Sequence, residues 1–270
     1  MILKKSLIVA GTLAVVLSCA TNPFTGKKTM ALVSNDQLFP TSFAQYNQFL
    51  SENKVVTGTS EANMVTRVGQ KIAVAAERYL NANGYQGYLN DYKWEYNLVD
   101  DKTVNAWCMP GGKIVVYTGI LPVTKSEAGL AAVVGHEVAH ALANHGQQRM
   151  SAAYVQQGVA LAGNIAIQNE NDRNLFNQYY GVGSQVGVML PFSRSHETEA
   201  DEIGLYLMAI AGYNPDEAAE LWKRMNALGG EAPPEMLSTH PSNESRIANL
   251  SALAPKAKAE AAKFGVTSFK

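Results

Sequence analysis

Hydrophobic positions along this chain change their period twice, from helical to alternating and back. From Ser60 onward, Val65, Val68, Ile72, Ala76 and Tyr79 recur at steps of three and four, the stripe of an amphipathic helix, and Asn83-Gly84 supplies its stop. An earlier helix is predicted from Ser34, where Gln37 three residues on completes a capping-box pattern. Aromatic and β-branched residues then dominate Tyr92 to Leu98 and Lys113 to Thr118, with Pro110-Gly111-Gly112 as the break, which predicts a small sheet. After Thr124 the pattern is helical again. Thr124 with Glu127 forms a second capping-box pattern ahead of Ala128 to Ala143, a stretch apolar enough for a largely buried helix, and Asn144, His145 and Gly146 are its stop signals. Val155 to Ile167 is apolar but interrupted by Gly158, Gly163 and Asn164, so it predicts a packed helix rather than a membrane span. No repeat or internal linker divides the chain. One domain is expected over residues 34–255, followed by an Ala/Lys-rich surface helix from Leu253 to Lys263 within a C-terminal tail, residues 256–270.

The N-terminus is of a different kind. Lys4 and Lys5 precede an apolar stretch, Leu7 to Leu17, too short to span a bilayer as a mature helix, so residues 1–18 read as a signal peptide. Val16-Leu17-Ser18-Cys19 resembles a bacterial lipobox, which makes Cys19 the lipidated first residue of the mature protein and residues 19–33 its lipidated N-terminus and linker. Ala20 stands where an aspartate would favour the inner membrane by resemblance to enterobacterial sorting. The expected location is the bacterial cell envelope, as a lipoprotein facing the periplasm, on the outer rather than the inner membrane. With 47% apolar and 17% charged residues, the 270-residue chain can bury a substantial core. Its 22 basic and 23 acidic residues provide no cationic field for a phosphate backbone, so nucleic acid is not an expected partner. There are only two cysteines. If lipid consumes Cys19, Cys108 has no partner and the fold must hold without a disulfide.

Histidine is scarce, five in all, and three fall between His136 and His145. Within the predicted buried helix stands His136-Glu137-Val138-Ala139-His140. Histidines four apart project from one helix face and can reach a single zinc ion, and Glu137 lies beside that face, placed to take a proton from metal-bound water. Hydrolytic zinc needs a third protein ligand. Glu197 and Asp201, four apart at the start of another predicted helix, share a face that continues into Ala200, Ile203, Gly204 and Leu207. Glu197 as ligand and Asp201 as support for a zinc histidine fit that pattern. Glu199 points elsewhere and is expected in solvent.

The ordered set of HEVAH, Glu197-Thr198-Glu199-Ala200-Asp201, and Thr239-His240-Pro241 with Arg246 beyond it resembles the zinc metallopeptidase family of the CAAX prenyl protease, HtpX and BepA. Asn105 to Gly112 resembles that family's approach to the active helix, and Asn22-Pro23-Phe24-Thr25-Gly26 the start of its lipoprotein branch without transmembrane helices. The resemblance implies an α+β, predominantly helical, zincin-like metallopeptidase domain with a small β-sheet beside the active-site helix. It implies one Zn2+ per chain on His136, His140 and Glu197, Glu137 as general base, and Asp201 orienting a ligand. His240 and Arg246 would approach from a later helix, with Pro241 at its first position. In some relatives the residue matching His240 fills the water position and holds the enzyme latent; in others it binds the oxyanion, and both roles stay open here. His145 and His196 match no ligand position and are expected at the surface or a helix end. The strand of Gly112, Lys113, Ile114, Val115 and Val116 would be an exposed edge to which extended polypeptide substrates add by backbone pairing. The expected function is a membrane-anchored endopeptidase acting on unfolded or misassembled envelope proteins. The alternatives are a latent zinc protein with a chaperone-like or assembly role among envelope partners, and a plain lipoprotein binding module.

Overall fold

A computed structural model of the protein describes residues 19–184, 189–228, 235–240 and 244–270; the expected signal peptide and Pro241 lie outside them. The described chain opens with a hairpin, β1 (Cys19–Thr21) against β2 (Lys28–Met30), followed by α1 (Asn35–Glu52), β3 (Val55–Val56) and α2 (Ser60–Ala82). The Ser34 N–H donates to Gln37 Oε1 at 3.1 Å, as the capping pattern predicts. Thr59 caps α2 by accepting from Ala62 N–H, the predicted stripe Val65, Val68, Ile72, Ala76 and Tyr79 is buried, and the helix stops at Asn83 with Gly84 at φ +86°.

Three strands follow, β4 (Glu95–Val99), β5 (Ala106–Met109) and β6 (Lys113–Tyr117), and with β3 they form one sheet in the order β3-β4-β6-β5. β6 pairs parallel with β4 (Glu95↔Lys113, Leu98↔Val116) and antiparallel with β5 (Cys108↔Ile114, Ala106↔Val116). The expected exposed edge is therefore an interior strand. Gly112, Lys113, Ile114, Val115 and Val116 are all buried, and the unbroken Ile-Val-Val run is the signature of a strand covered on both faces. β5, which among the described residues pairs only with β6, is the edge that packs on the helix carrying HEVAH.

A 3-10 turn (Thr118–Ile120) and α3 (Leu121–Thr124) lead into that helix, α4 (Glu127–Leu142). Thr124 does not cap it. Thr124 closes α3 by donating its hydroxyl to the Leu121 carbonyl, Lys125 takes a left-handed φ of 61°, and Ser126 accepts from Gly129 N–H as the cap of α4. Then come α5 (His145–Ala166), α6 (Glu170–Ser184), α7 (Leu190–Ile210), α8 (Asp216–Ala227), α9 (Glu235–Thr239) and α10 (Glu244–Ala262). The core lies where α4 meets α2, α7, α8 and β5, and α10 covers α7 and α8.

Two expectations about packing change. Among the described residues only the first turns of α5 are buried, at His145, Gln147, Gln148 and Ser151; beyond them the helix runs beside α6, and Tyr154, Leu161 and Ile165 are exposed. Residues 256–270 are no separate tail. Ala257 and Ala261 are in the core, Phe264 stacks with Tyr79, and Lys270 exchanges backbone hydrogen bonds with Gly212 and Asn214.

Candidate metal centre

α4 is apolar all round and is buried from Gly129 to Leu142, which places two imidazoles and a carboxylate where only mutual contacts can satisfy them. Its C-terminal carbonyls are answered from the loop after α2: Tyr88 donates its hydroxyl to Leu142 O at 2.8 Å, and Tyr92 to Ala141 O at 3.3 Å. The face bearing His136 meets α7 at a crossing of two glycines. A Cβ on Gly204 would stand 2.9 Å from His136 N, and one on Gly135 3.0 Å from the Gly204 carbonyl oxygen. This close approach sets Asp201 and Glu197, one and two turns before Gly204, against the histidines. The structure thus joins two segments that spacing alone leaves apart.

Four side chains, His136, His140, Glu197 and His240, offer one donor atom each within 4.8 Å of one another. His136 Nε2 is 3.1 Å from both His140 Nε2 and His240 Nδ1, and Glu197 Oε2 is 3.0 Å from His240 Nδ1 and 3.4 Å from His136 Nε2. The remaining carboxylate oxygen is 3.3 Å from His140 Nε2. Donors bonded at about 2.0–2.1 Å to a tetrahedral ion sit about 3.3–3.4 Å apart. The cluster has the chemistry and nearly the spacing of a divalent metal site. Glu137 lies beside it, with Oε1 buried, without a hydrogen bond and 3.3 Å from His240 Nε2.

Each donor is braced. Asp201 Oδ1 contacts His136 Nδ1 at 3.0 Å and takes a two-pronged pair from Arg246, Nε to Oδ2 at 2.8 Å and Nη2 to Oδ1 at 2.7 Å. Arg246 also donates to the His240 carbonyl at 3.2 Å and lies 3.8 Å over the Trp222 ring, so it ties α10, α7, α8 and the His240 segment together. In the protein alone, burial disfavours the charged form of His136, but hydrogen bonds to Asp201 and Glu197 outweigh it and raise its pKa to about 9. Burial also opposes the charge on Glu197, yet His136, His140 and His240 hold its carboxyl far below the usual range. For His140 burial outweighs the hydrogen bond to Glu197, and the neighbouring His136 adds to it, so its pKa lies well below the ordinary value and the ring is neutral.

His145 stands at a helix end, as the first residue of α5, but neither it nor His196 nor Glu199 is at the surface. All three are buried, and they form a second layer behind His140. His145 Nδ1 is 2.9 Å from His140 Nδ1, and its Nε2 is 3.0 Å from Glu199 Oε2. Its ring stacks on His196 at 4.0 Å, and His196 Nε2 contacts Gln148 Oε1 at 3.0 Å. A signal for this was present: His145 and Gln148 on one helix and His196 and Glu199 on another are both spaced at i, i+3, so each pair shares a face. Trp222 and the two glycines carry no comparable motif. The Cys108 thiol, on β5, has its pKa pushed well above the ordinary value by burial and then by the Glu137 carboxylate, which favours the protonated thiol.

A sequence profile of peptidase family M48 matches residues 59–254. Mitochondrial metalloendopeptidase OMA1 of Schizosaccharomyces pombe is 38% identical over 174 residues, covering 63% of this chain and 49% of that protein. The protein of the same name from Saccharomyces cerevisiae is 34% identical over 201 residues, 72% of this chain and 56% of the relative. The β-barrel assembly-enhancing protease of Escherichia coli is 27% identical over 185 residues, 64% and 37% respectively. The chain therefore spans only part of the length of the curated relatives it matches.

Proposed function

The chain belongs to peptidase family M48, and on that premise we propose that it is a membrane-anchored, zinc-dependent endopeptidase of the bacterial envelope that cleaves unfolded or misassembled proteins. The observation that carries this reading is the meeting of His136, His140 and Glu197 at metal-site distances beside the unpaired Glu137 oxygen. Bound zinc would supply an acidified water and a polarised scissile carbonyl. Glu137 accepts the proton of the attacking water and passes it to the leaving amine nitrogen. Asp201 holds His136 through Nδ1, and Arg246 fixes Asp201. The side of β5 that pairs with no strand among the described residues would offer backbone N–H and C=O groups to an extended chain, a mode that reads little side-chain sequence and suits unfolded substrates.

Cys19 is exposed at the first described residue of β1, in keeping with its role as the lipid attachment point. The name of the Escherichia coli relative, with its reference to β-barrel assembly, favours an envelope role, while the OMA1 names are mitochondrial; the lipobox-like Val16-Leu17-Ser18-Cys19 supports the envelope reading. Glu137→Gln is the test: the purified variant is expected to retain stoichiometric zinc and to lose casein cleavage by several orders of magnitude. Cleavage at the wild-type rate would sink the mechanism.

One observation favours a latent resting form. His240 Nδ1 completes a four-donor set, and closed four-coordinate sites leave no place for water. In this reading His240 is a gate, so His240→Ala raises casein cleavage; a fall of several orders would make it a catalytic group instead.

A further inference from the structure

We propose that His145 and Glu199 are positioning residues for the metal ligand His140, forming a carboxylate–imidazole–imidazole chain that fixes which nitrogen of His140 carries the proton. The proposal rests on the zinc reading above and extends it outward by two residues. His140 turns Nε2 toward the other donors, 3.1 Å from His136 Nε2 and 3.3 Å from Glu197, so Nε2 must keep its lone pair for a metal and Nδ1 must carry the hydrogen. That hydrogen needs a buried acceptor, and the atom facing it at 2.9 Å is His145 Nδ1. An imidazole nitrogen accepts only when bare. Glu199 supplies the reason for it to be bare: its carboxylate, 3.0 Å from His145 Nε2, can only accept, so it draws the single ring hydrogen to Nε2. The two ligating histidines are thus braced differently, His136 directly by Asp201 and His140 through an intervening ring.

The intervening ring is rigidly placed. His145 is completely buried and stacked on His196 with ring planes 10° apart, and Asn144, left-handed at φ 57°, turns α4 into α5 so that His145 folds back over His140. Gln148 bridges the layer, its Oε1 accepting from His196 Nε2 at 3.0 Å and its amide group donating to the Ala143 carbonyl at 2.8 Å. Lys27 Nζ lies 3.8 Å from the second oxygen of Glu199, so the loop of the N-terminal hairpin closes the chain from outside.

Two measurements on the full chain test this. In the zinc-loaded protein with ¹⁵N-labelled histidine, long-range ¹H–¹⁵N spectra are expected to show His140 protonated at Nδ1 and His145 protonated at Nε2 only; a proton on His145 Nδ1 overturns the proposal without any variant. Chelator competition then compares variants whose zinc-free forms have wild-type near-ultraviolet circular dichroism. His145→Phe, which keeps a ring but no nitrogen, is expected to weaken zinc binding roughly 10–100-fold. His145→Gln, whose amide oxygen can accept from His140 and whose NH₂ can donate to Glu199, is expected to recover most of it. Wild-type affinity in the Phe variant, or equal loss in both, refutes the chain. A wild-type protein that binds no zinc refutes the metal reading itself, so the two failures are distinct.

Discussion

His136 takes its raised pKa from two carboxylates that also brace or ligate, and this has a consequence for metal uptake. Below about pH 9 the protein alone carries a proton on that ring, and a metal must displace it. Apparent zinc affinity should therefore climb about tenfold per pH unit from pH 7 and level off near pH 9, measured by chelator competition; a plateau already reached at pH 7 would contradict the assignment. The sign for stability is the reverse. A folded-state pKa above the unfolded value of 6.5 gives stability that is full below pH 6.5 and lost as pH rises through about 9, so the zinc-free protein weakens over the interval in which it gains zinc affinity. Most of this residue-level chemistry is legible in the sequence, because His136, Glu137, His140, Glu197 and Asp201 stand in motifs with helical spacing, while His240 is legible only through the resemblance of Thr239-His240-Pro241 to the family's motif. Glu199 and His145 are not, since i, i+3 pairs on two helices reveal a contact only once it is known that the helices face each other.

At the scale of elements, the site depends on how closely α4 and α7 approach. Gly204→Ala would put a Cβ 2.9 Å from His136 N and 3.0 Å from its Cα, both backbone atoms that cannot rotate away. The helices must part, at a cost of about 1–3 kcal/mol, and Glu197 moves off the histidines with them. The expected result is a lower melting temperature together with weaker zinc binding. Gly158→Ala is the control: its Cβ meets nothing within 4 Å, and alanine is the better helix former, so neither quantity should fall. The residue pattern finds α2, α4, β4 and β6 to within a few residues because each presents a long apolar stripe or run; the short strands β1, β2, β3 and β5 present none and are not found. It does not find the sheet order. Strand order depends on which edges are left after β5 folds back on β6, and Ile114-Val115-Val116 reads as a strand without saying whether it lies at an edge. The Ala-rich end of α10 likewise reads as surface because alanine is equally at home in a tight helix contact, which is its role at Ala257 and Ala261.

For the whole molecule, the proposed anchor and the active site are separable. Cys19 sits exposed at the end of a two-stranded hairpin, which is held to the body by contacts such as Leu32 N–H to Ser151 Oγ at 3.0 Å and Lys27 Nζ to Glu199 at 3.8 Å, neither of them made by Cys19. Cys19→Ser should move the protein from the membrane fraction to the soluble periplasmic fraction of cells while casein cleavage by the purified protein stays unchanged. Retention in the membrane fraction would refute lipid attachment at this residue. The four donors, by contrast, cannot be separated from the fold. His136 and His240 are 104 positions apart in the chain yet 3.1 Å apart in space, and Glu197 comes from a third element between them. The helix carrying HEVAH alone contributes two donors, too few for a hydrolytic centre. A chain still crossing a membrane, or caught half-folded, has no working blade. On the proposed function, proteolytic activity would come into being only with the completed tertiary structure, so the chain would be unable to digest itself or its neighbours before it has folded.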